Sequence, residues 1–105
     1  MSVSTHVLDA VEGRPAAGIA VWLYADAELI AEGVTDHDGR CRLFEGATAL
    51  GTHRLVFFTG QWFAEQGREA FWPEVVLTFS VAEPADHHHV PLLLSPFAYS
   101  TYRGS

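Results

Sequence analysis

Disulfides, long apolar runs and a basic leader are all missing from this sequence. Its single cysteine, Cys41, has no second cysteine to pair with inside the chain. No stretch approaches the roughly 20 apolar residues that a membrane-spanning helix needs. The start, MSVSTHVLDA, lacks the basic flank and the apolar run of a signal peptide. We therefore expect a reduced, soluble, cytoplasmic protein with no membrane partner.

Basic residues are also scarce. Six Lys and Arg residues stand against thirteen Asp and Glu residues, which gives a formal net charge of −7 at pH 7. A surface of this sign repels the phosphate backbone of nucleic acids. The composition therefore predicts no nucleic-acid partner.

Apolar residues, in contrast, are plentiful. The chain has 105 residues, of which 49% are hydrophobic and 12% aromatic. That is enough to bury a core without disulfides or a structural metal, and too short for two ordinary domains. We expect one domain over residues 1–105.

Short strands separated by turn signals dominate the rest of the pattern. Residues 75–81 alternate between a face with Val75, Leu77 and Phe79 and a more polar face, which is typical of a half-buried strand. The Asp-Gly pair in DHDGR indicates a hairpin turn. One short helix is predicted over QWFAEQG, ended by its glycine. About eight such strands predict an all-β fold, a two-sheet β-sandwich.

A run of histidines opens one predicted strand, HHHVPLLL. Alternation assigns His87, His89, Pro91 and Leu93 to one face and His88, Val90, Leu92 and Leu94 to the other. One face can fill the core, whereas the outward stripe of Leu8, Pro91 and Leu93 needs a cover, for which we expect another copy of the chain. We interpret His87 and His88 as solvated residues beside the preceding turn.

Several motifs occur in one order along the chain: STHVLD, GRPAAG, DGRC, HVPLLLSP and the final YRGS. With this length and order, the chain resembles the 5-hydroxyisourate hydrolase branch of the transthyretin family over essentially its whole length. The resemblance implies a transthyretin-like sandwich that forms a homotetramer with active sites in a channel between dimers. It also implies hydrolysis of 5-hydroxyisourate to 2-oxo-4-hydroxy-4-carboxy-5-ureidoimidazoline in urate degradation, without a metal or a cofactor.

The same resemblance carries site residues over by motif. The catalytic candidates are His6, Arg40 and His89, and the substrate-binding candidates are His6, Arg40, Tyr102 and Ser105. The sequence departs from the family pattern at His88, where relatives often have an aromatic residue, and at Ala98, where they often have glycine. Neither departure touches the candidate set.

The residue types suit the implied reaction. Hydrolysis of a cyclic amide needs an activated water, a stabiliser of oxyanion charge and an acid for the leaving nitrogen. Histidine titrates near neutral pH, and the arginine fork fits a planar ring with several carbonyls. We expect His6 to be the base, His89 its acid or water-positioning partner and Arg40 the clamp on the substrate. A tyrosine such as Tyr102 can form a wall of the pocket.

Other interpretations stay open at this level. A transthyretin-like carrier of a small hydrophobic ligand would share the fold, and so would a structural β-sandwich module. A zinc site on the histidine run is disfavoured because adjacent strand residues point to opposite faces. Cys41 is interpreted as a small buried apolar residue.

Overall fold

The computed structural model describes residues 1–47 and 49–105, which form nine strands and one helix. The strands are β1 (Ser2–Asp9), β2 (Arg14–Pro15), β3 (Ala20–Ala25), β4 (Glu28–Val34), β5 (Arg40–Glu45), β6 (Gly51–Phe57), β7 (Val75–Val81), β8 (His87–Leu94) and β9 (Tyr99–Thr101), and the helix is α1 (Thr59–Glu65). They build two packed sheets, so the predicted two-sheet β-sandwich with one short helix is confirmed. The strand count exceeds the predicted number of about eight by one, and the shortest strand is the two-residue β2.

The first sheet is centred on the pairing of β1 with β8. Its order is β2-β1-β8-β9, and β5 also pairs with β1. β1 and β8 run parallel, with Ser2 opposite His87 and Ser4 opposite His89. β5 runs antiparallel to β1 and sets Arg40 opposite His6. Three strands distant in sequence therefore bring the candidate residues to one region of this sheet.

The second sheet is antiparallel throughout, in the order β4-β3-β6-β7. The core lies between the sheets, and its fully buried side chains include Val3, Val7, Leu23, Leu55 and Leu92. In β1 every second residue is buried, from Val3 to Asp9, as the alternation predicted. The opposite face of β1 carries Ser4 and His6 outward.

Helix α1 crosses from β6 toward β7. It begins two residues before the predicted start and ends at Glu65, and Gly67 follows with a φ of 68°, a left-handed conformation that favours glycine. Phe63 is buried against the core. Among the described residues, no helix has the length and apolar character to cross a bilayer.

A buried ion pair ties the segment after α1 to the end of β1. Arg68 donates to the Asp9 carboxylate at 2.8 Å, and the backbone N–H groups of Val11 and Glu12 donate to the same carboxylate. Burial opposes ionisation of Asp9, but the hydrogen bonds outweigh it and hold its pKa below the ordinary value. Arg68 also lies over the Phe63 ring, 4.8 Å from its centroid. This contact fixes the helix against the first sheet.

Candidate active site

The turn before β5 presents Arg40. Asp36 accepts hydrogen bonds from the backbone N–H groups of Asp38 and Arg40, both at 2.9 Å, and the bond from Arg40 is the main reason that the Asp36 pKa is lowered. Gly39 has a φ of 77°, and a Cβ there would lie 2.3 Å from the carbonyl oxygen of Val7. A tight turn forms at the Asp-Gly pair and packs directly against β1, but the predicted hairpin is wrong, because β4 and β5 lie in different sheets and β5 pairs with β1.

His6 lies beside Arg40 on the outward face of β1. Its Nε2 is 2.9 Å from the carbonyl oxygen of Asp38. A carbonyl only accepts, so this nitrogen must carry the proton. In the neutral ring, Nδ1 is then the bare nitrogen that can accept a proton.

His89 is half-buried on β8, and contacts from β1 and from the terminal segment hold it in place. Its Nδ1 is 2.8 Å from Ser4 Oγ, and its backbone carbonyl accepts the N–H of Gly104 at 2.8 Å. Burial lowers the pKa of His89, and the nearby charges of His87, Arg40 and His6 lower it further. His89 is therefore held in its neutral form near neutral pH.

A polar cleft of about 390 Å³ opens over these strands. Its lining consists of Ser4, Thr5, Asp36, Arg40, Cys41, Arg42, His87, His89 and Ser105. Three candidates from the sequence, Arg40, His89 and Ser105, thus meet in one cleft. His6 is outside its lining but borders it, opposite Arg40 in the register of β1 and β5.

Tyr102 lies elsewhere. It is 59% exposed and lines a second cleft of about 400 Å³, between β7 and the strands β8 and β9. That cleft is mostly apolar and shares only His89 with the polar cleft. Within one chain, the structure does not bring Tyr102 together with Arg40 and Ser105.

His87 is solvated, as the sequence predicted, but its contacts with neighbouring side chains were not predicted. It is exposed, but its ring stacks parallel to His89 with centroids 6.1 Å apart. Its Nε2 is 3.1 Å from Ser4 Oγ, and its Nδ1 contacts Ser2 Oγ. The signal that could have found it is spacing, because His87 and His89 share one strand face.

His88 is not solvated, and the interpretation of it as a turn residue was wrong. It is 5% exposed, on the inward face of β8, and its ring lies 6.1 Å from that of Phe79. Burial is the main cause that lowers its pKa, followed by the charge of Arg103. The alternation along β8, and not the nearness of the turn, determines the burial of His88, because the inward face of the strand continues to its first residues.

One cluster has the spacing of metal ligands. Within residues 1–47 and 49–105, the ligand atoms of Asp36, His37 and Asp38 lie within 4.8 Å of one another, and all three residues are exposed. Asp36 already accepts two backbone hydrogen bonds. Its role in the structure is to hold the turn that presents Arg40.

Comparison with known proteins identifies the fold and its relatives. The sequence profile of the HIUase/Transthyretin family matches residues 3–104. The chain belongs to this family. It is 45% identical over 114 residues to the 5-hydroxyisourate hydrolase of Pseudomonas aeruginosa, across 98% of this chain and 90% of that protein. The predicted family is confirmed.

Solved structures give the same relationship. The structure of Klebsiella pneumoniae 5-hydroxyisourate hydrolase matches with a TM-score of 0.92 and 38% identity, and it covers 100% of both chains. Sea bream transthyretin in complex with thyroxine matches with a TM-score of 0.85 and 33% identity, across 97% of this chain and 93% of that one. One fold is thus shared by proteins named as hydrolases and by a transthyretin that was solved with bound thyroxine.

Proposed function

We propose that this protein hydrolyses 5-hydroxyisourate to 2-oxo-4-hydroxy-4-carboxy-5-ureidoimidazoline, a step of urate degradation. The observation that carries the proposal is the meeting of Arg40 and His89 in one polar cleft bordered by His6. Relatives named as hydrolases over nearly the full chain support the reaction class. The three side chains supply a base, a cation and a second imidazole, which the reaction requires.

His6 acts as the base in this proposal. Its Nε2 is committed to the Asp38 carbonyl, so its Nδ1 is the nitrogen available to take a proton from water. The resulting hydroxide adds to a ring carbonyl carbon of the substrate. Because the Asp38 carbonyl accepts from Nε2–H in either state, it also stabilises the ring when both nitrogens are protonated.

Arg40 stabilises the oxyanion that forms when water adds to the carbonyl. Its guanidinium remains cationic and offers several N–H donors in one plane. The Asp36 turn fixes the backbone from which it projects. A donor positioned before the reaction starts needs little reorganisation when charge develops.

His89 completes the reaction as the acid. When the carbon–nitrogen bond of the ring breaks, the leaving nitrogen takes the proton of His89 Nε2, which has no hydrogen-bond partner among the described residues. In the same step Ser4 Oγ, 2.8 Å from His89 Nδ1, passes a proton to that nitrogen, so that the imidazole stays neutral. The proton held on His6 then returns through solvent to Ser4. Ser105 lines the same cleft and contributes polar groups for substrate binding. No step in this scheme calls on a metal or a cofactor.

We further infer a cytoplasmic homotetramer of single-domain chains, in which other copies complete the site. Large apolar side chains remain exposed in the chain, among them Phe71, Phe97, Tyr99 and Tyr102. Such a surface favours association. Tyr102 would then contact substrate from a neighbouring copy, which is compatible with its distance from Arg40 within one chain.

A transthyretin-like carrier is the second candidate. The apolar cleft of about 400 Å³ beside Tyr102 and the likeness to a thyroxine-bound transthyretin favour it. A carrier has no need for the polar set of His6, Arg40 and His89, and so we favour the hydrolase.

The test follows the ultraviolet absorbance of freshly generated 5-hydroxyisourate with and without the purified protein. The hydrolase accelerates the decay in proportion to protein concentration, and the His6→Ala, Arg40→Ala double variant does not. A decay rate that the wild-type protein leaves unchanged would rule out the hydrolase and leave the carrier.

A further inference from the structure

Two serines and two histidines form a continuous chain of hydrogen bonds at the edge of the polar cleft. Ser2 Oγ contacts His87 Nδ1, Ser4 Oγ is 3.1 Å from His87 Nε2, and the same Ser4 Oγ is 2.8 Å from His89 Nδ1. The parallel register of β1 and β8 creates this arrangement, because it sets Ser2 opposite His87 and Ser4 opposite His89. All four side chains share the outward face of the first sheet.

The Ser4 hydroxyl has one proton to give, and it lies between two ring nitrogens. It can donate to one ring only, and the hydrogen-bonded chain uses this proton when Ser4 donates to one ring and accepts from the other. If it donates to His87 Nε2, it accepts from His89 Nδ1–H, and His89 Nε2 is bare. If it donates to His89 Nδ1, it accepts from His87 Nε2–H, and His89 Nε2 carries the proton.

Protonation of His87 removes this choice. A charged imidazole has a proton on both nitrogens, so Ser4 can only accept from His87, and its own proton is then available for His89 Nδ1, the other ring nitrogen within hydrogen-bond distance. His89 then holds its proton on Nε2, the nitrogen without a partner. The charge on the exposed ring thus determines which nitrogen of the half-buried ring can donate.

We propose that Ser4 is a positioning residue whose hydroxyl couples the protonation of His87 to the tautomer of His89. Where it concerns the rate, this inference rests on the proposed function, because it selects the form of His89 that acts as an acid. The coupling itself is a property of the hydrogen bonds and is independent of any substrate.

Charged and polar groups from the neighbouring elements face the two rings. They are His6 on β1, Arg40 and Arg42 on β5, Asp36 in the turn before β5, Ser105 in the terminal segment, and Asp86, which precedes β8 and pairs with Arg103 at 3.7 Å. The pKa of His89 lies below its ordinary value, mainly through burial and then through the charge of His87. This lowered pKa favours the neutral ring of His89, which is the form that has two tautomers.

The direct test is nitrogen NMR of isotopically labelled histidine rings over a pH series in the substrate-free protein. In the wild type, the His89 signals should shift toward the Nε2–H tautomer as His87 becomes protonated. Ser4→Ala should abolish this link, and Ser4→Thr should keep it because threonine retains the hydroxyl. Ser2→Ala is the matched control, since it removes the other hydroxyl from His87 and leaves Ser4 between the rings.

Two outcomes would overturn the proposal. One is a His89 tautomer that ignores the protonation of His87 in the wild type, and the other is the same pH response in Ser4→Ala as in the wild type. If Ser4→Ala does not fold, His87→Gln serves instead. It removes the titrating ring and should leave a His89 tautomer that does not change with pH above the protonation of His89 itself.

Kinetics provides the second arm. Ser4→Ala should lower kcat roughly tenfold, less than the loss of an acid or base itself, with little change in KM. The pH profile of kcat in Ser4→Ala should also lose the dependence that arises from His87. In Ser4→Thr this dependence should be present, as in the wild type. A protein with intact NMR coupling but no hydrolysis would refute the proposed function alone, whereas an active enzyme without coupling would refute this inference alone.

Discussion

At the scale of single residues, backbone carbonyls and hydroxyls decide what each histidine can do. The Asp38 carbonyl assigns the proton of His6 to Nε2 and leaves Nδ1 as the basic nitrogen. Ser4 contacts Nδ1 of His89 and leaves its Nε2 toward solvent. The two histidines thus have different ring nitrogens available, which in the proposed mechanism separates the base from the acid without different side chains.

Removing the side chain of His6 or of Arg40 should greatly lower the rate of hydrolysis. His6→Ala and Arg40→Ala should each lower kcat/KM by about 10² or more, the usual scale for a positioned base or charge stabiliser. Steady-state kinetics on folded protein measures this. Arg54→Ala is a matched control, because Arg54 lies on the second sheet and stacks on Tyr24. Near-normal rates in His6→Ala, with the assembly intact, would refute the assignment.

Gly104 provides a second test at this scale. A Cβ at this position would lie 2.5 Å from Cδ2 of His89 and 3.3 Å from Cγ of Pro91. Gly104→Ala must therefore displace the His89 ring or the segment that covers it. Because small misplacements of a reacting group reduce rates by up to about 10²-fold, we expect a loss of at least tenfold in kcat with little change in Tm.

Ser100→Ala is the control for this variant, since Ser100 is exposed on β9 and lines neither cleft. Kinetics and thermal melts are to be measured on the same preparations. Full activity in Gly104→Ala would show that the terminal segment adjusts freely and does not position His89.

At the scale of elements, most of the correct predictions came from the alternation of buried and exposed residues along single strands. The faces of β1, β7 and β8 were correctly predicted because each strand has one side in the core. The same rule predicts a buried His88, yet the nearness of the turn led to the wrong interpretation. The ion pair of Asp9 and Arg68 joins residues 59 apart, and nothing in the sequence indicates which arginine meets which carboxylate.

The contacts of His87 could not be predicted from the sequence for a related reason. They depend on the register between β1 and β8, which alternation along a single strand does not specify. The candidate set of His6, Arg40 and His89 came from motif resemblance, and the register of three strands explains why these motifs belong together. The catalytic roles themselves stay predictions until they are measured.

Helix α1 should detach from the first sheet when its ion pair is broken. Arg68→Ala leaves the Asp9 carboxylate buried without its cation and should lower the free energy of unfolding by about 3 kcal/mol. Chemical denaturation monitored by circular dichroism measures this. Arg14→Ala is the control, because its ion pair with Glu12 is exposed. A loss in Arg68→Ala no larger than that in Arg14→Ala would contradict the role of this pair.

The same pair predicts a pH dependence. The pKa of Asp9 is lower in the folded protein than its ordinary value of 3.8, so its contribution to stability is present above that pH and is lost as the pH falls below it. In Arg68→Ala the Asp9 carboxyl of the folded protein should become protonated at a higher pH than in the wild type. The free energy of unfolding should therefore decrease less steeply as the pH falls. Identical acid-unfolding slopes for both proteins would contradict this.

At the scale of the whole molecule, the outward face of the first sheet is only partly covered by the chain itself. Pro91 of the predicted apolar stripe is buried, and a Cβ on Gly104 would lie within 3.3 Å of it. Leu8 and Leu93 remain half-buried and paired in register. The predicted stripe is therefore narrower than expected and still requires a partner surface.

Leu93→Glu should disrupt the homotetramer toward dimers, because it sets a charge in an apolar contact between copies. Sedimentation velocity measures the distribution. Leu29→Glu is the matched control, since Leu29 is an exposed leucine on β4 of the second sheet. A wild-type protein that sediments as a monomer at micromolar concentration would contradict the assembly.

The parallel pairing of β1 and β8 has a consequence for the order of folding. The hydrogen bond between Ser4 and His89 joins residues 85 apart, and β1 has its neighbours β5 and β8 in later parts of the chain. Closing such a loop costs conformational entropy before the contacts that stabilise it have formed, so high contact order slows folding. During synthesis, β1 must wait for β8 to emerge. The second sheet, built from the nearer strands β3, β4, β6 and β7, can assemble first, and we expect the polar cleft to be among the last parts of the protein to form.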